Sequence, residues 1–434
     1  MEQSLLSYSE ADDCVRRYIS AFSAANGSPA NSDPGSQAGL GHSVQITASS
    51  RDELVALAAA RGRVLAQAIC ADRDQPPFPR STRDGFACRA AEANTHEFLF
   101  QGGAVRAGQA SGSLGAGDVW EIMTGAPVPE GADAVFMVEH ADRHSNFVRL
   151  TPSRTVRAGE NIVPQGAEAR CGDLLISPGV RLAAAHIALA AQCGYSELAV
   201  ARRPRVAILS TGDELVPVES SPGPSQIRNS NSPMLAALVA AAGGEPAILA
   251  AIPDQEAAID AAISSALSSD LLLISGGISA GKFDLVEDAL ARAGAKFLFR
   301  GVAIQPGKPV VFGQLPRQSQ PALPFFALPG NPISSAVTFQ LFASPLLAAL
   351  AGDSSPQPKF ALAQLAGEWR GKPGLTRFLP AWCDFAGAPA PQVRLIPWQG
   401  SGDLAAFARS NCFLVVSAEA EEISDGSTVQ ILLS

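Results

Sequence analysis

The sequence predicts a multidomain α/β plus β protein organised around one central, doubly wound, mainly parallel sheet. Three observations predict it. Across residues 204–352, short apolar runs alternate with helix-like segments, the pattern of a parallel sheet covered on both faces. Across 79–150, short strands and turn residues follow at close spacing, as in a small β barrel or sandwich. After Gly352, Pro356 and Pro358 mark a linker, and 360–434 alternates apolar and polar residues as a second small β unit does.

In the central segment, strands are expected at 206–209, 247–252, 270–275, 296–304, 310–312 and 324–328. Helices are expected at 233–242, ended by Gly243-Gly244, at 255–267, at 285–293, ended by Gly294, and at Pro332–Leu350. Such sheets bind ligands at the carboxyl ends of their strands. Unusual residues fall at those ends: Thr211-Gly212-Asp213-Glu214, Asp254, Ser275-Gly276-Gly277-Ile278-Ser279-Ala280-Gly281 with Asp284, Pro306-Gly307-Lys308-Pro309, and Leu328-Pro329-Gly330-Asn331-Pro332. The glycine-rich turns open toward the helices at Leu285 and Pro332 and bare backbone N–H groups, which suits an anion such as phosphate. Glu214, Asp254 and Asp284 come from separate turns and would repel one another and a phosphate; Mg²⁺ relieves both repulsions. Taken singly, Asp284 could cap the helix at Leu285 and Gly276-Gly277 could be a tight turn. Their recurrence at the strand ends of one sheet favours a site.

With 434 residues, about two to four domains are expected. Hydrophobic residues make up 47% and charged residues 17%, enough apolar surface for several cores. The net charge of −9 and the lack of a basic stripe argue against nucleic acid as partner. An anion site here needs backbone amides, a metal and a few Lys or Arg. Seven scattered cysteines without C-x-x-C read as reduced thiols of a cytoplasmic protein, Cys171 and Cys193 among them as core or surface thiols. His140 and His144 read as a solvated face. With no signal peptide and no apolar run of about 18 residues, no membrane span is expected.

From the start, 8–22 reads as an amphipathic helix capped by Ser9, and 24–41, rich in Gly, Ser, Asn and Pro, as a flexible insertion. Ser50-Arg51-Asp52-Glu53 is expected to cap an apolar helix that Gly62-Arg63-Val64-Leu65-Ala66 continues toward Ala71. In Phe78-Pro79-Arg80-Ser81-Thr82-Arg83-Asp84-Gly85-Phe86-Ala87, prolines stiffen the flank and Gly85 permits an unusual turn. Thr124 lies in Ile122-Met123-Thr124-Gly125-Ala126-Pro127, where its hydroxyl could simply satisfy a strand end. Residues 182–192 are a helix with Gly194 past its end. The expected units are 1–78 with 151–203 as a discontinuous elongated domain, 79–150 inserted in it, 204–352, and 353–434.

STGDEL, SGGISAGKFD, PGKP and LPGNP, in that order, resemble the molybdopterin molybdenumtransferase family, the MoeA type also found as the C-terminal part of gephyrin. GRVLA, the FPRSTRDGFA stretch, IMTGAP, GADAV, RAGENI and Gly400-Ser401-Gly402 followed by Ser410-Asn411-Cys412-Phe413 extend the resemblance over nearly the whole chain except 24–41. It implies insertion of molybdate into adenylylated molybdopterin with release of AMP. The same resemblance implies Mg²⁺ on Asp254, Asp284 and Glu214, and Gly276, Gly277 and Ser279 around the pterin or phosphate end. Asp84 and Thr124 would act at the reaction centre, and Pro329, Pro332 and Ser401 would lie around the oxyanion. A homodimer with a shared site is also implied, as is a molybdopterin adenylyltransferase as partner. Some positions depart from the family pattern: Val163 and Glu168 stand at usual Arg and Asp places, and Gly301 and Gln305 at usual Lys places, with Arg300 and Lys308 nearby as substitutes. Rival readings are a nucleotide or pyrophosphate hydrolase with the same central fold, and a non-catalytic binding scaffold like gephyrin's.

Overall fold

Side-chain alternation in the central strands divides the molecule into layers. The computed structural model describes residues 5–25, 52–277, 285–318, 320–386 and 390–434. Six strands form the central sheet in the order Glu245–Ile248, Arg205–Ser210, Leu271–Ser275, Leu323–Leu328, Val311–Leu315, Lys296–Arg300. The first three pairings are parallel and the last two antiparallel. Val206, Ile208, Leu271, Leu273, Phe326 and Leu328 enter one apolar layer. Their neighbours Ala207, Leu209, Leu272, Ile274, Phe325 and Ala327 enter the other. Helices Asn231–Ala241 and Pro332–Leu350 cover the first layer, Glu256–Ala266 and Leu285–Arg292 the second. Every residue of Leu271–Ser275 and Leu323–Leu328 is buried, as a strand covered on both faces requires. Each such Leu, Ile or Phe contributes about 1.5–3 kcal/mol. This is the doubly wound sheet the sequence predicts.

Three expectations are corrected. Pro332–Leu350 is long and apolar enough to cross a membrane by composition, so the chain does hold an apolar run of that length; its most apolar window is 78% buried in the fold, as in a core helix. Pro345 has no N–H for the carbonyl of Leu341, and the helix widens to π geometry over Phe339–Ala343 just before it. The helix expected from Asp52 is instead a strand, Asp52–Ala56, paired antiparallel with Glu197–Ala201. These five residues alone do not declare a strand; a partner 141 to 149 residues away in sequence imposes it. The first helix, Tyr8–Ala25, is capped by Ser7 rather than Ser9: the Ser7 hydroxyl accepts from the Glu10 amide and the Glu10 carboxylate accepts from the Ser7 amide.

That helix buries Ala11, Val15 and Ile19 in the first central layer. Residues 52–81 run antiparallel to 162–201, through Asp52–Ala56 with Glu197–Ala201, Ile69–Cys70 with Leu174–Ile176, and Arg80–Ser81 with Ile162–Val163. Between the two arms lies a six-stranded sheet, in the order Ala134–Met137, Gly85–Cys88, Asp118–Ile122, Leu99–Val105, Phe147–Leu150, Ala141–His144. At the C-terminal end, Thr376–Asp384, Gln392–Leu395, Phe360–Leu365, Thr428–Leu433 and Cys412–Val416 close into a barrel, because the last pairs back with the first. All seven cysteines are free.

Candidate active site

Three parallel strands end side by side, and hydrogen bonds carry their ladder into the turns beyond. The Thr211 amide donates to the Ser275 carbonyl at 3.1 Å, and the Gly276 amide donates to the Leu328 carbonyl at 3.2 Å. So close an approach excludes side chains. A Cβ on Gly276, at φ 94°, would stand 2.5 Å from the Thr211 carbonyl oxygen. One on Gly277, at φ 68°, would stand 2.4 Å from a Val286 methyl. Both glycines are required by geometry, since neither position has room for a side chain.

Asn231, which the sequence reading passed over, ties two of these turns together. Its amide nitrogen donates to the Ser275 hydroxyl at 2.8 Å and to the Gly330 carbonyl at 2.6 Å. The signal was the polar run Asn229-Ser230-Asn231-Ser232 ahead of an apolar helix. Asn331 donates to the Ser401 hydroxyl at 2.9 Å, and the Ser401 carbonyl accepts from the Ile333 amide at 3.0 Å. Ser401 thus closes the first turn of the helix at Pro332. Pro329 joins them by accepting from the Ser335 hydroxyl. The structure therefore brings Gly276, Gly277, Pro329, Pro332 and Ser401 to one rim.

The acids of that rim cluster around the first turn. The Asp254 carboxylate accepts from the Thr211 hydroxyl, a contact that joins two of the strand-end turns. The Asp254 amide donates to the Asp213 carboxylate at 3.1 Å. The Glu214 carboxylate lies against Gly212, whose added Cβ would be 2.6 Å from it. These are hard oxygen donors of the kind Mg²⁺ takes. Among the described residues, however, no three ligating side chains stand close enough to hold an ion. Ser279 and Asp284 lie outside the described residues.

In the turn at Pro306-Gly307-Lys308-Pro309, Lys308 is exposed. Gln305 is the register partner of Arg377 and accepts from its Nε at 3.1 Å, so Arg377 is the cation that touches this turn. Its guanidinium also donates to the Leu375 carbonyl at 3.1 Å. Arg300 is engaged elsewhere: it pairs with Glu287 at 2.9 Å and stacks on the Phe297 ring at 3.9 Å.

The inserted sheet carries a second group of predicted residues. The Thr124 amide and hydroxyl donate to one oxygen of Asp84, at 2.6 and 2.9 Å. These bonds, the amide's first, hold the Asp84 carboxyl below the usual carboxylate range. Gly85 is needed for a reason other than an unusual turn: it sits in a strand where a Cβ would be 2.0 Å from the Phe136 carbonyl oxygen. Glu168 pairs with Arg80 at 2.8 Å, and Arg80 is the cross-strand partner of Val163. A guanidinium therefore stands directly opposite Val163 on the same ladder. Nearby, an apolar cavity of about 410 Å³ opens between Phe78, Pro127, Pro129 and Ile162. Among the described residues no hydrogen bond or ion pair joins Asp84, Thr124 or Glu168 to that rim.

Comparison with known proteins covers both groups. Residues 36–194 match the model for the MoeA N-terminal region (domain I and II), 207–349 that for a probable molybdopterin binding domain, and 363–434 that for the MoeA C-terminal region (domain IV). The chain is 34% identical over 396 residues to a molybdopterin molybdenumtransferase of Bacillus subtilis, covering 88% of this chain and 89% of that one. It is 32% identical over 390 residues to the protein of that name in Haemophilus influenzae, covering 89% and 95%. A crystal structure of the molybdopterin biosynthesis MoeA protein from Pyrococcus horikoshii OT3 superimposes with a TM-score of 0.76 at 27% identity, over 99% of this chain and 100% of that one.

Proposed function

This chain belongs to the molybdopterin molybdenumtransferase family, and on that premise we propose which molecules it takes and which residues take them. It is an enzyme of molybdenum cofactor biosynthesis. In our reading the substrates are adenylylated molybdopterin and molybdate, and AMP leaves. The observation that carries the reading is the rim itself: glycine turns without room for side chains, carboxylates beside them, and Ser401 delivered from the C-terminal barrel.

Gly276, Gly277 and Ser279 would hold the pterin or phosphate end through backbone N–H groups. Pro329, Pro332, Ser401 and Lys308 would surround the oxyanion. Arg377, through Gln305, is better placed than Arg300 to add a guanidinium there. Asp84, kept ionised by Thr124, would act at the reaction centre, with Glu168 and its partner Arg80 beside it. Glu214, Asp254 and Asp284 would hold Mg²⁺. When bound, the ion supplies charge neutralisation on the pyrophosphate. The two separate groups of residues support a homodimer in which one chain's Asp84 serves the other's rim. They also support units at 1–78 with 151–203, 79–150, 204–352 and 353–434. A molybdopterin adenylyltransferase would supply the substrate.

The test is AMP release from adenylylated molybdopterin with Mg²⁺. We expect release only when molybdate is added. Release with water alone would make the chain a hydrolase, and no release under any condition would favour a binding scaffold.

A further inference from the structure

Three segments distant in sequence meet behind the turn that ends at Lys308. Leu6 forms a parallel bridge with Val302, and its carbonyl accepts from the Ala303 amide at 2.7 Å. On the opposite side, the Ala303 carbonyl accepts from the Thr376 amide at 3.1 Å, and Ile304–Gln305 runs parallel to Thr376 and Arg377. The turn itself is closed by the Val302 amide on the Lys308 carbonyl at 2.9 Å and the Gly301 amide on the Val310 carbonyl at 2.8 Å. Residues 302–305 are therefore the middle member of a three-part ladder. Its outer members are the N-terminal segment and the start of a barrel strand.

The N-terminal member is firmly anchored. Immediately after Leu6, the reciprocal bonds of Ser7 and Glu10 start the helix. The Tyr8 ring packs 5.6 Å from Phe378, next in sequence to Arg377, and 6.2 Å from Phe342 in the core helix that begins at Pro332. Ala11, Val15 and Ile19 are buried behind it. The Leu5 side chain fills the space over Gly301, where a Cβ would come within 2.6 Å of it. The N-terminal segment thus touches every element that sets the spacing between Gln305, Lys308 and Arg377.

We propose that residues 5–7 act as a positioning strand for the oxyanion turn, fixing Gln305 and Lys308 against Arg377 before the anion arrives. The proposal rests on the assignment of that turn to the oxyanion. Without the strand, one edge of 302–305 is unpaired, and anion binding must then order the turn at its own expense. The first variant deletes residues 1–6, leaving Ser7 and its capping bonds. The second is Leu5→Ala, at a side chain already 40% exposed, for use if the deletion does not fold.

Amide hydrogen exchange is read at Gly301 and Val302, whose amides donate to the Val310 and Lys308 carbonyls and close the turn, with Thr211 and Gly276 as controls on the other side of the rim. Molybdate alone and AMP alone are then titrated by calorimetry. We expect exchange at Gly301 and Val302 to quicken while the controls hold. Molybdate should bind about fivefold more weakly, the size of one lost hydrogen bond, with AMP unchanged. Wild-type exchange at Gly301 and Val302 in the variant would overturn the proposal. So would equal weakening of molybdate and AMP, which would mean general loosening. If the wild-type chain itself binds no molybdate, the assignment of the turn fails, and the exchange result still decides whether the N-terminal segment positions it.

Discussion

The Asp84 loop and the sheet rim place their carboxylates in opposite ways. The Asp84 carboxylate receives two hydrogen bonds from one residue, Thr124, within a single small sheet. At the rim, Asp254 depends on Thr211, Thr211 on Ser275, Gly276 on Leu328, and Asn331 on a serine from another unit. One group is local; the other exists only when three strands and the barrel are in register. Damage at the rim should therefore spread through the fold, while damage at Asp84 should stay where it is made.

The largest effect should come from adding a methyl at the rim. Gly276→Ala meets a backbone oxygen at 2.5 Å from an unfavourable φ of 94° and should cost roughly 2–4 kcal/mol. Gly367→Ala has a similar φ, 100°, but open space around it, and should cost about 1 kcal/mol. Urea unfolding compares the two, and equal losses would remove the claim that the turns are packed against each other.

Thr211→Val keeps the shape and removes the hydroxyl from Asp254. A bond to a charged group is worth about 1.5–3 kcal/mol, and because Asp254 is exposed we expect the low end. The same change at the other group, Thr124→Val, should leave the melting temperature nearly unchanged. Its readout is the Asp84 pKa, which should rise toward the ordinary carboxylate value as the hydroxyl bond goes. The sign follows from the depressed pKa: Asp84's contribution to stability is present above its unfolded pKa and is lost as pH falls through the lower, folded value. In the variant that acid transition should move to higher pH. NMR titration of the carboxyl follows it directly, and an unmoved pKa would mean that the amide bond alone holds Asp84.

The same contrast explains what could be read in advance. The buried strands declare themselves as apolar runs, and Gly276 and Gly277 stand out because they follow one of those runs directly, at a strand end. The contacts of Asn231, Thr211, Arg377 and Arg80 were not legible, because each takes its meaning from a partner 44, 43, 72 or 88 residues away. Asp52–Ala56 was misread for the same reason: its strand character comes from its pairing with Glu197–Ala201, not from its own five residues. Arg300 looked like the natural cation beside Gln305 by proximity in sequence, yet Glu287 and Phe297 take it up.

The central claim is that the two groups form one site, contributed by two chains. Asp84→Asn and Asp254→Asn, each inactive alone, would be mixed, unfolded and refolded together, and molybdate-dependent AMP release measured. Random pairing makes about half the dimers mixed, each with one intact site of two, so activity should return to about one quarter of wild type. If activity stays at the level of the single variants, each site is built within one chain and the shared site is contradicted.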